Sequence, residues 1–191
     1  QTDKVASLQK ALCAALSDYP AEEQFKTVEK YVNAGGTPVL YYPVLAQAGS
    51  CKKAVKMLAD GYESGAADEA FKALMKVSDY NAADILLSIA AKDKNRSETA
   101  LRRFIVLVSS SSLDNLSKVQ KYSDVMRLEP SVKVRNSVLA ALKSVPVMPA
   151  FLLASKSLDN PETSYKAADA VKTIASKTTD EVDYNALKSS L

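Results

Sequence analysis

The chain has 191 residues, of which 47% are apolar and 25% are charged, and its formal net charge is +3. These values suit one globular or repeat domain and exclude an intrinsically disordered chain. The absence of histidine excludes Ser-His and Cys-His catalysis and most zinc sites.

The N-terminal part of the chain predicts a series of short helices. Apolar residues recur every three or four positions from residue 4 to residue 16, the spacing of a helix with one apolar face. A second helix follows Pro20 and is expected to end at Gly35, because glycine readily adopts the left-handed backbone that terminates helices. A third helix is predicted to start at Pro38, and Pro43 within it predicts a kink or a break.

The middle of the chain continues the same helical pattern. Gly61 and Gly65 are expected to loosen the end of the fourth helix. Asn95 and Glu98 have the spacing of a capping box, which predicts a helix start at this point. The serine run from residue 109 to residue 112 predicts a loop, since serine hydroxyls compete for backbone hydrogen bonds.

The C-terminal part contains two prolines, Pro130 and Pro161, and each is predicted to lie in the first turn of a helix. A last helix is predicted from Thr178 through Leu187. The whole chain then comprises about twelve short helices without an alternating strand pattern. Because the turns between them are short, neighbouring helices must run antiparallel, and the predicted fold class is all-α.

Pairs of apolar residues repeat at similar positions in four of these helices, with spacings of 30, 34 and 33 residues. A degenerate repeat of this length is typical of helical solenoids. The pairs are Ala70 with Leu74, Ala100 with Phe104, Val134 with Val138, and Ala167 with Val171.

Five residues are candidates for contacts with a partner. Arg102, Arg103 and Arg135 could hold an anionic group, because the guanidinium fork suits carboxylate and phosphate. Tyr41 and Tyr42 could offer an amphipathic binding surface. At helical spacing, one of the two tyrosines is expected to belong to the core and the other to be exposed.

The two cysteines, Cys13 and Cys51, leave two readings open. They are small core residues, or they form a single disulfide if the compartment is oxidising.

No glycine-rich phosphate loop is present in the sequence. We therefore predict no catalytic residue, no metal and no cofactor, and the longest apolar run is too short to cross a membrane.

The segment from Pro130 to Leu142 resembles the second helix of a HEAT repeat, in which a proline precedes Val-Arg and then Ala and Leu at helical spacing. The residues from Val147 to Ala154 resemble a HEAT first helix with its proline, and so does the stretch from Thr37 to Ala46. The resemblance implies a right-handed α-α superhelix over residues 1–191, with Arg135 at the packing position of the HEAT arginine. A tetratricopeptide solenoid has a comparable period, but its aromatic, glycine and alanine positions do not recur, so it ranks second.

One feature departs from a regular repeat. The proline-containing helix at Thr37 is the third in the chain, whereas the similar helix at Val147 is the tenth. Strict pairing of first and second helices would give both the same parity. We therefore expect an irregular solenoid whose least regular part lies between Ser50 and Ser112.

The resemblance implies a non-catalytic scaffold that binds a protein partner or a neighbouring domain of the same polypeptide. HEAT segments of this kind occur in secreted bacterial multidomain proteins, some beside a sugar-active β-sandwich domain. The chain starts at Gln1, and its end at Leu191 looks cut from a longer chain. Both features fit that context, for which a periplasmic or cell-surface location is expected. The alternative is a HEAT-like nucleic-acid-binding protein or an enzyme similar to the HEAT-like DNA glycosylases.

Overall fold

The computed structural model describes residues 2–178, and within that range the chain is all-helical, with eleven α-helices and two 3₁₀ turns. The predicted all-α class is confirmed, while the last helix predicted from Thr178 lies outside the described residues. The helices, numbered in chain order, are α1 (Thr2–Leu16), α2 (Ala21–Asn33), α3 (Tyr42–Gln47), α4 (Lys52–Glu63), α5 (Ala67–Leu74), α6 (Ala83–Lys92), α7 (Lys94–Ser110), α8 (Asn115–Arg127), α9 (Val132–Leu142), α10 (Met148–Ser155) and α11 (Ser164–Ala175), and the 3₁₀ turns cover Pro38–Tyr41 and Tyr80–Ala82.

The chain divides into two compact units, residues 1–86 and residues 87–191, with the border inside α6. Each unit has a fully buried apolar core of its own. No helix among residues 2–178 combines the length and the apolar content that a membrane span requires.

The first unit is built around α3, which contacts α1, α2, α4 and α5. Val44 and Leu45 of this short helix are completely buried. The helix α3 follows directly on the 3₁₀ turn, and Pro43 is its second residue. The predicted break is therefore real, and the proline lies in the first turn of the α-helix. At the edge of the unit, α1 leaves part of its apolar stripe exposed, including Leu8, which is 65% exposed.

Gly61 shows that one sequence prediction was wrong. It does not loosen the end of α4 but lies inside the helix and is buried, and Gly65, with a φ of +100°, follows the helix end. A side-chain carbon at Gly61 would overlap the hydroxyl of Tyr42. Glycine is therefore required here because the ring of Tyr42 packs against the backbone of α4.

Replacing Gly61 with alanine tests this packing. Helix propensity alone favours alanine by about 1 kcal/mol, but overpacking a closed core costs about 1–3 kcal/mol. We expect Gly61→Ala to lower the free energy of unfolding, measured by urea denaturation. The loss should be smaller in a Tyr42→Phe background, which lacks the overlapping hydroxyl, and a stabilised Gly61→Ala protein would contradict the packing.

The second unit contains two rows of helices. In one row α7 packs against α9 and α9 packs against α11, and in the other α8 packs against α10. Three of the four repeated apolar pairs lie on the helices of the first row, whereas Ala70 with Leu74 lies on α5 of the first unit. Ala100, Phe104, Val134, Val138 and Ala167 are completely buried and Val171 is half-buried, so five of the six repeated residues in this row belong to the core.

Two side-chain hydrogen bonds also connect the helices of the first row. Ser131, directly before α9, donates its hydroxyl hydrogen to Glu98 of α7 over 2.7 Å. Lys143, directly after α9, donates to Asp169 of α11 over 2.8 Å. Each neighbouring pair of helices in the row is thus joined by one polar contact as well as by apolar packing.

The ends of α7 differ from the prediction. The helix starts two residues early because the carboxylate of Asp93 accepts hydrogen bonds from the backbone N–H groups of Asn95 and Arg96, which makes Asp93 the N-cap. Glu98 does not form the predicted capping box and accepts a hydrogen bond from Ser131 instead. The helix also includes two residues of the predicted serine loop, since it ends at Ser110.

The prediction for Pro130 and Pro161 was also wrong. Ser131 is the N-cap of α9 and Thr163 is the N-cap of α11, so both prolines lie in the turns that precede the helices. Pro149, by contrast, lies within the first two residues of α10. Before Pro130 the chain turns at Glu129, which adopts a left-handed backbone with a φ of +49°, so this proline follows a turn and precedes the N-cap.

Candidate functional site

The predicted partner residues belong to different units of the chain. Tyr41 and Tyr42 lie in the first unit, whereas Arg102 and Arg103 lie on α7 and Arg135 lies on α9. Arg102 is exposed and Arg103 is half-buried. The two units are therefore described separately.

The two tyrosines have different environments. Tyr42 is 4% exposed and belongs to the core, where burial raises the pKa of its hydroxyl and the charge of Glu69 raises it further. Tyr41 is half-buried and stacks on Tyr31, with ring centroids 6.2 Å apart and ring planes 11° apart. One tyrosine is thus structural, as the sequence suggested, and the other forms part of a small aromatic surface.

The cysteines are both free thiols, so the bridge between them is not present in the structure. Cys51 is buried at the N-cap position of α4. Cys13 is half-buried on α1, and burial raises the pKa of its thiol, an effect that the charge of Lys76 partly offsets. A raised pKa lowers the thiolate fraction at neutral pH and hence the reactivity of the thiol.

Arg135 has a defined structural contact. Its Nε–H donates to the backbone carbonyl of Pro130 over 3.0 Å, which ties the start of α9 to the turn before it. The guanidinium also forms one side of an open groove of about 600 Å³. We call this the Arg135 groove.

The Arg135 groove has an apolar floor and charged edges. Met126 of α8 and Leu153 of α10 supply apolar surface, while Lys156 and Asp159 supply charges from the end of α10 and the turn that follows. That turn is held in place by the buried hydroxyl of Thr163, which donates to a backbone carbonyl over 3.1 Å. The groove is therefore preformed by secondary structure and by an internally bonded turn.

Sequence reasoning found Arg135 but missed the rest of the groove. Leu153 lies in α10 and Lys156 directly follows that helix, but nothing local indicates that they meet a residue of α9. The contact depends on how α8, α9 and α10 pack, which is a property of the fold.

A second, smaller groove of about 270 Å³ lies between α9 and α11. Its charged members are Lys143, Lys166 and Asp169, and Ala140 is an exposed small residue between them. The hydrogen bond from Lys143 lowers the pKa of the Asp169 carboxyl, and the charges of both lysines lower it further. The groove is thus already neutralised in part by an internal ion pair.

A third groove, of about 420 Å³, lies in the first unit at the start of α4. Lys26, Lys52 and Lys53 line it together with Glu22 and the buried ring of Phe25. Acidic and basic side chains are mixed along its edges, so it has no single charge preference.

Among residues 2–178 there is no group of three side chains that could hold a metal ion. The acidic pairs Glu22–Glu23 and Asp68–Glu69 lie in the first turns of α2 and α5, where carboxylates interact favourably with the helix dipole.

The chain matches no protein-family model, and comparisons with curated proteins and with solved structures found no significant match. Functional inference therefore depends on the packing, the grooves and the charges of the chain itself.

The Lys143–Asp169 contact predicts a measurable pH effect. Because the folded-state pKa of Asp169 is lowered, the contribution of the pair to stability is present above the unfolded-state pKa of about 3.9 and is lost as the pH falls through the folded-state value. NMR titration should give Asp169 a pKa below the usual range, and Lys143→Gln should raise it. Lys133→Gln, which removes a charge from the same helix, should leave it unchanged. An Asp169 pKa insensitive to Lys143→Gln would contradict the contact between α9 and α11.

Proposed function

We propose that the chain is a non-catalytic helical-repeat module, an irregular solenoid of the HEAT type, that binds a protein partner or a neighbouring domain of the same polypeptide. The observation that carries this proposal is the packing of alternate helices, α7 on α9 on α11 and α8 on α10, in register with a repeat of 33 or 34 residues. In a solenoid each repeat contacts only its neighbours, and the stack presents long, open surfaces.

The residues at equivalent positions support the repeat. Ala100, Val134 and Ala167 are small and completely buried, so that α7, α9 and α11 can approach closely. Arg135 stands at the position of the HEAT arginine, and its hydrogen bond to Pro130 fits the packing role that the resemblance implies. The same resemblance is the basis for proposing a periplasmic or cell-surface location.

The outward surface of α7, α9 and α11 is the candidate binding face, and we call it the basic face. By the repeat register, exposed Arg102 and Val106 of α7 share this side with Ala140 of α9 and Lys166 of α11. Val106 is 52% exposed. Small and apolar side chains among cations suit a protein partner, because protein interfaces combine an apolar centre with a polar rim.

A second candidate is nucleic-acid binding, which the charges of the basic face favour. Arg102, Lys133 and Lys166 are exposed and have no carboxylate partner among the described residues. Lys143, however, is already paired with Asp169. Three cations without a carboxylate partner are few for a protein that must neutralise several phosphates, and a glycosylase would also need a catalytic acid in the groove.

Site-specific photo-cross-linking tests both candidates in the full-length polypeptide in its native cells. A benzophenone amino acid replaces Ala140 on the basic face or, as the matched control, exposed Gln120 on α8 in the other row of helices. We expect a discrete adduct from Ala140, resistant to nuclease and identified by mass spectrometry as a protein segment, and none from Gln120.

Three results would count against the proposal of a protein partner. No adduct from Ala140, or equal adducts from both positions, would contradict a specific binding face. An adduct removed by nuclease would favour the second candidate, and its yield should then fall steeply with salt concentration.

A further inference from the structure

The Arg135 groove is formed by residues that the basic face does not use. Its floor comes from α8 and α10, and its far edge is the turn from Ser157 to Thr163. Any ligand of this groove therefore binds independently of a partner on the basic face.

Arg135 has hydrogen-bonding capacity left for a ligand. Its Nε–H is used by Pro130, and no carboxylate among residues 2–178 pairs with its guanidinium or with Lys156. Because the Pro130 bond and partial burial fix the side chain, the remaining N–H groups are presented without a large loss of side-chain entropy. A fixed guanidinium fork is well suited to a planar carboxylate.

The shape of the groove favours an extended chain over an enclosed small molecule. Lys156, Asp159 and Pro161 are all exposed, so the groove is open along one side. Small-molecule sites bury about 70–90% of their ligand, which an open groove does not achieve. A peptide segment, by contrast, needs one apolar side chain inserted and its backbone laid along the surface.

We infer that the Arg135 groove binds an extended segment of a partner protein in which an acidic side chain stands next to an apolar one. The carboxylate pairs with Arg135 and Lys156, and the apolar side chain packs on Met126 and Leu153. Charge complementarity carries the choice of an acidic segment, since the groove contributes two cations and one acid.

Asp159 gives the groove a further preference, for the charge of the bound segment at one end. It is exposed and has no partner among the described residues, and it lies three residues after Lys156. A second acidic side chain at that end of the groove is repelled, whereas a neutral or basic one is accepted. The groove therefore favours a segment with one acidic residue over a uniformly acidic tract, in keeping with selection by repulsion as well as by attraction.

The test uses two fluorescein-labelled peptides in fluorescence polarisation, Ala-Leu-Glu-Leu-Ala-Lys and the same peptide with Gln in place of Glu. We expect the Glu peptide to bind about tenfold more tightly, because a charge-assisted bidentate contact is lost with Gln. Arg135→Gln and Lys156→Gln should each remove most of that difference. Lys133→Gln is the control, since it removes an exposed charge two positions from Arg135 without lining the groove.

Arg135→Gln also removes the hydrogen bond to Pro130, which lowers the stability of the protein. Lys156→Gln changes an exposed position and therefore tests the groove without this effect. The methyl NMR signal of Met126 should also shift on adding the Glu peptide. Equal binding of the two peptides, no binding at millimolar peptide, or equal effects of Lys133→Gln and Lys156→Gln would overturn the inference. None of these outcomes bears on cross-linking from Ala140, so the two proposals fail separately.

Discussion

The contact between alternate helices is the constraint on which the second unit depends. A short helix with one apolar face cannot be stable alone, and α9 gains its burial by lying between α7 and α11. Small side chains at Ala100, Val134 and Ala167 let these helices approach, and larger ones such as Phe104 fill the space one turn further on. The hydrogen bonds of Ser131 and Lys143 then fix the position of each helix along the axis of its neighbour.

The same packing determines where function can reside. Once the buried positions are occupied by apolar residues, charged side chains are left for the outward surface and for the edges between the rows. Arg135 illustrates both demands, because its Nε–H supports the turn at Pro130 and the residue also lines a groove. The basic face and the Arg135 groove differ in shape as well as in residues. We propose a broad protein contact for the first and a short acidic segment for the second.

Helix positions and the repeat register were predictable from the sequence because they follow from local periodicity. The end of α2 at Gly35, which has a φ of +93°, follows from backbone preference in the same way. Gly61 was misread because its role depends on Tyr42, a residue of another helix. The cap at Asp93 was missed because Asn95, two residues later, is of a residue type that also favours the N-cap position. The Arg135 groove could not be predicted, since no local pattern indicates which helices border it.

Distance measurement between spin labels tests the stacked arrangement of the second unit most directly. Thr99, Lys133 and Lys166 are exposed at equivalent positions of α7, α9 and α11, and labels are attached to cysteines at these sites in a chain whose Cys13 and Cys51 are replaced by alanine. Packed helices lie about 8–10 Å apart between axes, so two steps span about 16–20 Å. In a stacked row of helices, the separation between positions 99 and 166 is roughly twice that of each neighbouring pair. A separation between 99 and 166 no longer than that between 99 and 133 would place α11 beside α7 in a closed bundle and contradict the solenoid.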